Sequence, residues 1–327
     1  DAEIPLTANW WLAKKPKKKV ALYPIVNREQ KRVDFAVVRL ERGEWRREDG
    51  GGLSNLQSPV SNFQPEQGTV RRAKVICPVC GAGMDDRTLR REFRQGRAGE
   101  RMVAVVLHTP SRSLPRGRGR AGVGGKTYRV ATEADVEVFR RAEAALQSIL
   151  ESRSHASGKS ILESRSHASG GGGSMASTAQ DLPPVPDEPL PPVGTLGFRV
   201  QRYGLLRWGD LFNPRQKLAL ITFVDKVRRA HAQMLAEGYD PEYAKAVATY
   251  LAIIFNRLAD KNANLVVYNV VGEKIEHVFG RQALPMVWDY VEVNPFTDVG
   301  WPNMQEWVEL ILAHLTRIPP MEGNPNE

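Results

Sequence analysis

An internal duplication divides this chain into two pieces and limits what either piece can fold into. Residues 148–158 (SILESRSHASG) return unchanged as residues 160–170, and the second copy runs into Gly-Gly-Gly-Gly-Ser. The units of a repeat protein recur at least three times and carry an apolar face for their neighbours. Two identical, mostly polar copies followed by Gly and Ser are typical of a flexible tether, either a recent duplication or an artificial joint. We therefore predict a duplicated Gly/Ser linker over residues 152–180, between domains at 1–151 and 181–327.

The net charge of +9 is distributed unevenly about this linker. Residues 1–174 contain 32 Lys and Arg against 19 Asp and Glu, whereas residues 175–327 contain 14 against 18. A basic N-terminal piece favours a polyanionic partner, most simply DNA; a solvated basic surface without a partner is the alternative. No run of 18 apolar residues occurs, so we expect no membrane partner and predict a cytoplasmic protein. The sequence leaves the oligomeric state open.

Short β-type runs bounded by turn residues dominate the N-terminal piece. They occupy residues 18–26, 32–40, 69–77 and 101–108, and a helix with a capping-box-like start at Thr132 follows over 132–150. After a proline-rich segment at 181–198, helical periodicity takes over, with N-cap and Pro starts at Asn213 and Asp240 and a third helix over 301–318. The predicted fold class is α+β: a small, antiparallel, β-rich, zinc-ribbon-like N-terminal unit, joined by the flexible tether to a mainly helical C-terminal unit.

Cys77 and Cys80, the two cysteines of the chain, have the C-x-x-C spacing that holds two thiolates on one tight turn. A structural zinc site needs four ligands, and the histidines nearest in sequence are His108, His155 and His167, the last two within the duplication. Three interpretations remain open: half of a zinc ribbon, which the spacing favours, a turn that no longer binds metal, and a redox pair or a chance spacing. We predict that Cys77 and Cys80 form a half-site for zinc.

Lysines and arginines occur in clusters, one next to tryptophans and another among glycines. Such clusters suit contacts to the phosphate backbone of DNA, because each neutralised phosphate releases a counterion, and they position a protein without reading base sequence. A further basic cluster occupies residues 87–101. The residues predicted to contact nucleic acid lie in KKPKKK and RGRGR: Lys14, Lys15, Lys17, Lys18, Lys19, Arg116, Arg118 and Arg120.

Residues 294–296 (NPF) resemble a catalytic motif without completing it. Amino-group methyltransferases hold their target amine with an Asp/Asn/Ser-Pro-Pro-aromatic motif, and this tripeptide is one proline short of it. The chain has no strand followed by a G-x-G turn that would bind a nucleoside cofactor. His231, His277 and His314 lie on separate segments without ligand spacing. The sequence therefore predicts neither catalytic nor cofactor-binding residues in this chain.

Five blocks of sequence, in order, resemble one protein family. They are AEIPLTANWWLAKKPKKKVALYPIV, GTVRRAKVICPVCGAGM, GFRVQRYGLLRWGDLFNPRQKLAL, YAKAVATYLAIIFNRLADKNANLV and EKIEHVFGRQALPMVWDYVEVNPF. Together they resemble the middle, or insert, region of the adenine-specific DNA methylases of bacteria and archaea that contain a zinc ribbon. The resemblance covers nearly the whole chain except the joint. It implies a relation to S-adenosylmethionine-dependent DNA methylation, as in restriction–modification.

The resemblance also implies which parts of the family are missing here. In that family the cofactor-binding loop precedes this region, an Asp-Pro-Pro-Tyr motif follows it, and the first C-x-x-C stands just ahead of the AEIPL block. By this comparison Cys77 and Cys80 are half of a site, and residues 294–296 are an ordinary block end.

Three hypotheses follow for function. The preferred one is a non-catalytic, DNA-engaging insert region of an S-adenosylmethionine-dependent adenine-specific (N6) DNA methyltransferase, inactive alone, with DNA and the methyltransferase core as partners. S-adenosylmethionine is then a cofactor of the full family protein and is not expected on this chain. The second is a complete or rearranged DNA adenine methyltransferase, and the third an engineered binding or scaffold module built from this insert. Binding of S-adenosylmethionine to the isolated chain separates the first two.

Overall fold

The computed structural model describes residues 2–48, 62–71, 74–108, 125–166 and 185–318. Within these ranges the chain has the predicted α+β architecture, with small antiparallel sheets and five α-helices. None of the described helices is apolar over a length sufficient to cross a membrane.

A four-stranded antiparallel sheet opens the fold. Its strands are adjacent in space in the order of the sequence: β1 (Trp11–Lys15), β2 (Lys18–Asn27), β3 (Arg32–Glu41) and β4 (Glu44–Arg47). The strands predicted at 18–26 and 32–40 are confirmed as β2 and β3, whereas β1 and β4 are additional to the predicted set. Both additional strands are rich in charged residues, and each is held by hydrogen bonds to a longer strand, so that pairing decides their conformation.

Two smaller sheets complete the β-rich part. β5 (Val70–Arg71), β6 (Lys74–Ile76) and β7 (Gly83–Asp85) form one antiparallel sheet, and β8 (Ala104–His108) pairs with β9 (Lys126–Val130). The helix α1 (Asp86–Arg94) follows β7 directly, and its N-cap Asp85 accepts a hydrogen bond from the Thr88 N–H at 2.8 Å. The single strand predicted at 69–77 is therefore two short strands, and α1, β7 and β9 are further elements that the sequence patterns do not reveal.

The helix predicted at 132–150 is confirmed, and it is longer than predicted. α2 (Glu133–Ser166) continues through the first copy of the duplicated segment into the second. At its start the Asp135 carboxylate accepts hydrogen bonds from the backbone N–H and the hydroxyl of Thr132, both at 2.7 Å. Extending a helix costs little once its first turn exists, so the Leu, Glu, Arg and Ala residues of the repeat can prolong it. The coil expected from residue 152 is thus helical to residue 166, and residues 167–180 of the predicted linker lie outside the described residues.

The C-terminal part is mainly helical, as predicted. It contains α3 (Pro214–Ala236), α4 (Pro241–Asp260) and α5 (Trp301–Leu315), together with the hairpin of β10 (Tyr268–Asn269) and β11 (Lys274–Ile275). The predicted starts are confirmed, because Asn213 and Asp240 cap α3 and α4 with their side chains and proline follows each cap. Gly238 ends the first of these helices with φ 83°, a conformation that glycine adopts without steric cost.

The two parts of the chain share a contact surface, which we call the seam. It joins residues 2–166 to residues 185–318 and includes the packing of α2 against α3. Phe93 on α1 contacts the rings of Tyr203 and Trp288, with centroid distances of 5.6 and 5.7 Å. The Thr7 hydroxyl donates to the Asp289 carboxylate at 2.8 Å, and burial raises the pKa of that carboxyl.

Candidate nucleic-acid interface

The predicted lysine run forms the closed end of the β1–β2 hairpin. Lys15 lies opposite Lys18, Lys14 lies opposite Lys19, and residues 16–17 connect the two strands. Like charges that face each other across a hairpin destabilise it unless something neutralises them. The lysine run is therefore a local concentration of positive charge that the rest of the fold has to accommodate.

Lys15 and Lys18 lie on the inward face of the hairpin. Side chains alternate across a strand, so these two lysines are on the same face as Ala13 and Val20, which are fully buried. There they meet Glu273, which lies in the loop between β10 and β11. Lys18 Nζ donates to Glu273 Oε1 at 2.6 Å, and Lys15 Nζ pairs with Oε2. The Glu273 side chain is only 6% exposed, and its two ion pairs join the two parts of the chain at the seam.

Two tyrosines and a third lysine complete the surroundings of Glu273. The Tyr128 hydroxyl donates to Glu273 Oε1 at 2.5 Å and lies 3.0 Å from the Tyr268 hydroxyl, and Lys126 Nζ donates to the Glu273 backbone carbonyl. Burial alone would raise the pKa of the Glu273 carboxyl, but hydrogen bonds from the two hairpin lysines and Tyr128 outweigh it and hold that pKa at about 2. Burial also raises the pKa of Tyr268 to about 12 and lowers the pKa of Lys126. Glu273 is thus an anion over the whole neutral range.

The remaining lysines of the run face outward. Lys14 Nζ lies 3.1 Å from Glu66 Oε1 and 5.2 Å from the centre of the Trp11 ring. Lys17 is exposed, Lys19 is partly exposed, and neither forms an ion pair with another described residue. The predicted contacts in RGRGR lie outside the described residues: Arg116, Arg118 and Arg120. The structure therefore brings the five lysines together and divides them into an inward pair and an outward group.

Cys77 and Cys80 lie on the tight turn between β6 and β7. The Gly81 N–H donates to the Cys77 carbonyl at 2.8 Å, and the Cys77 N–H donates to the Ala82 carbonyl at 2.9 Å. Gly81 has φ 76°, the left-handed conformation that such a turn requires. Cys77 is buried and Cys80 is exposed, and hydrogen bonds from the Ala82 backbone and then from Cys77 lower the pKa of the Cys80 thiol. The turn therefore presents two sulfur atoms, one of them accessible.

The described residues of one chain supply two of the four ligands that a structural zinc needs. Among them, no group of three or more His, Cys, Asp and Glu side chains is placed to hold a metal ion. His108 is instead paired with Asp298 across the seam, with Nδ1 2.9 Å from Oδ2. The side chain of His155 and the whole of His167 lie outside the described residues. These donors fit a half-site and do not by themselves complete a zinc ribbon.

Residues 294–296 form a turn that leads into α5. Asn294 Oδ1 accepts a hydrogen bond from the Phe296 N–H at 3.0 Å, and the Pro295 carbonyl accepts one from the Trp301 N–H at 2.8 Å. A Cβ atom on Gly300 would approach the Pro295 carbonyl oxygen to 2.4 Å, so only glycine fits this position. The Asn294 side chain thus stabilises the turn that precedes α5.

Sequence patterns gave no indication of Glu273. It lies in the turn VGEK with φ 48°, and its partners Tyr128 and Lys126 are about 150 residues away, with the 2.5 Å contact to Tyr128 spanning 145 positions. The alternation in β1 does carry a partial signal, because an apolar Ala13 two residues before Lys15 places that lysine on the buried face.

Comparison of the chain with family models, curated proteins and solved structures finds no match.

Proposed function

We propose that this chain is a non-catalytic, DNA-engaging region of an S-adenosylmethionine-dependent adenine-specific (N6) DNA methyltransferase. The observation that carries the proposal is the uncompensated positive charge on the outer side of the β1–β2 hairpin, where Lys17 and Lys19 have no carboxylate partner among the described residues. The five sequence blocks supply the methyltransferase context. Methyl transfer and the nucleoside cofactor belong, in this proposal, to a catalytic core that is the second partner of the chain.

The Glu273 contacts support this role for the hairpin. They fix Lys15 and Lys18 on the inward face, and strand alternation then directs Lys19 to the opposite face. Lys17 lies in the connecting turn, and its side chain is exposed to solvent. Contacts of this kind gain free energy from released counterions and hold the protein on DNA in a sequence-independent manner.

The test is a salt titration of DNA binding. Fluorescence anisotropy with a labelled duplex measures the binding constant of the full chain at several salt concentrations. The logarithm of this constant should fall linearly with the logarithm of salt, by about 0.9 for each phosphate neutralised. The variant K17Q/K19Q should flatten this slope by about 0.9 for each lysine that meets a phosphate, and should weaken binding to all duplex sequences alike.

A matched control removes two exposed lysines from the C-terminal part. K226Q/K245Q changes the net charge by the same amount on α3 and α4, and it should leave the slope as in the unmodified chain. Absence of binding by the unmodified chain at low salt would remove DNA as a direct partner. An equal loss of slope in both variants would show that only net charge matters and would refute the assignment to the hairpin.

A calorimetric titration with S-adenosylmethionine tests the non-catalytic part of the proposal. We expect no binding by the isolated chain, because its sequence lacks a Gly-rich strand-to-helix turn for a nucleoside cofactor. Saturable binding would favour the alternative of a rearranged methyltransferase that is active by itself.

A further inference from the structure

α1 carries a stripe of arginines on the side that faces away from the fold. Leu89 is the buried residue of this helix and packs with Val75 and the seam aromatics. Because an α-helix turns about 100° per residue, Arg87, Arg91 and Arg94 fall within an arc of about 60° opposite Leu89. All three arginines are exposed. These three arginines, which we call the stripe, therefore lie on the side of α1 opposite its buried apolar face.

The neighbouring Arg90 and Arg97 differ from the stripe, because each forms an ion pair with an acidic side chain of α1. Arg90 pairs with Asp86 at 2.5 Å, and its guanidinium lies 5.7 Å from the centre of the Tyr203 ring. Arg97 pairs with Glu92 at 2.5 Å and donates to both of its carboxylate oxygens. Both acidic side chains of α1 are therefore engaged by arginines outside the stripe.

The stripe itself is almost without compensating charge. Arg87 and Arg94 have no ion pair with any described residue, and Arg91 reaches only Glu92, at 3.5 Å. Arg87 and Arg91 are four positions apart, a spacing at which like charges destabilise a helix. A polyanion that bound the stripe would relieve this repulsion, and guanidinium groups suit phosphates because they donate two parallel hydrogen bonds.

We infer that Arg87, Arg91 and Arg94 form a contact surface for the phosphate backbone of duplex DNA. This inference rests on the proposed function and adds a second site to it, on the helix that follows the Cys77–Cys80 turn. The stripe is about 10 Å long, which equals the axial rise of about three phosphates of one DNA strand.

The test compares three variants by the same salt titration with duplex DNA. R87Q/R91Q/R94Q should reduce the salt slope by about 1 for each arginine that meets a phosphate and weaken binding about tenfold per lost contact near 0.1 M salt. R90Q, which removes one positive charge from the arginine that pairs with Asp86, should leave the slope unchanged. R228Q/R229Q/R257Q removes three exposed arginines from α3 and α4 and should also leave it unchanged. Thermal unfolding of the stripe variant should match that of the unmodified chain, because these side chains contact little of the fold.

The outcomes separate this inference from the proposed function. If the unmodified chain binds duplex DNA and the stripe variant keeps its full slope, the inference is wrong and the proposed function stands. If the stripe variant and the α3/α4 variant lose slope equally, the stripe is not a specific surface. If the unmodified chain does not bind duplex DNA at low salt, the proposed function fails. A single change, Arg91→Gln, provides the same comparison should the triple variant unfold.

Discussion

Replacing the buried Glu273 by glutamine should destabilise the protein more than single charge changes at its surface. The pKa of this carboxyl is about 2 in the folded chain against an ordinary value of 4.5. A difference of this size corresponds to about 3 kcal/mol of folding free energy at neutral pH. The same order follows from the buried charges, since removing one partner of a buried ion pair costs about 3–5 kcal/mol. In the variant Lys15 and Lys18 would face each other on the inward side of the hairpin without an anion between them.

The stability lost in Glu273→Gln should depend on pH in a defined direction. A carboxyl with a lower pKa in the folded than in the unfolded chain stabilises the fold above its unfolded pKa, and this contribution disappears as the pH falls through the folded pKa. The stability difference between the unmodified protein and Glu273→Gln should therefore be constant above pH 4.5 or so and shrink as the pH approaches 2.

Urea unfolding, followed by the fluorescence of the seven tryptophans, measures this difference at neutral pH and at several acidic pH values. Glu242→Gln is the control, because Glu242 forms an exposed pair with Lys245 on α4 and should change the free energy of unfolding by no more than about 0.5 kcal/mol. A loss below about 1 kcal/mol for Glu273→Gln at neutral pH would refute the reasoning, since a buried ion pair broken on one side should cost several times more. A loss that stayed constant down to the most acidic pH would refute it as well.

Two other predictions concern the cysteine turn and the joint. Elemental analysis of the purified protein should find less than one zinc per chain or one zinc shared by two chains. Two thiolates bind zinc far more weakly than a complete four-ligand site, where zinc binding contributes about 10–16 kcal/mol. A monomer that keeps one zinc in the presence of a chelator would contradict this. A protease site inserted after Ser174 allows the chain to be cut in the joint. The two fragments should still elute together on size exclusion, because the seam contacts of Glu273 and Trp288 do not depend on the joint. Fragments that separate under native conditions would show that the tether holds the two parts together.

Much of the secondary structure can be predicted because it depends on local chemistry. The caps Asn213 and Asp240 with their prolines, and the Thr132 start of α2, act within one turn of a helix, so the sequence contains the whole signal. The end of α2 is not predictable in this way. The repeat has few apolar residues, which suggests coil, but a helix that is already nucleated can continue through it.

The short strands and the candidate site depend on distant partners. β9 is recognisable only as the partner of β8, because its conformation depends on the hydrogen bonds between them. The inward position of Lys15 and Lys18 depends on Glu273, more than 250 residues along the chain, with the Lys18 contact spanning 255 positions. A run of five lysines can be found in a sequence, but which of them are neutralised is a property of the folded chain.

The excess positive charge of the N-terminal part therefore consists of two groups of cations, which the structure distinguishes. Some of the positive excess of the N-terminal part is matched within the molecule by acidic residues of the C-terminal part, as Lys15 and Lys18 are by Glu273. Other cations face outward, and Lys17, Arg87 and Arg94 have no carboxylate partner among the described residues. Variants of Lys15 and Lys18 should lower the free energy of unfolding, because these lysines pair with a buried carboxylate. They should leave the salt dependence of DNA binding unchanged, because their charges are already compensated within the protein. Variants of the second group should change the slope and leave stability nearly as it was, because exposed charges contribute little to folding and their counterions are free to leave.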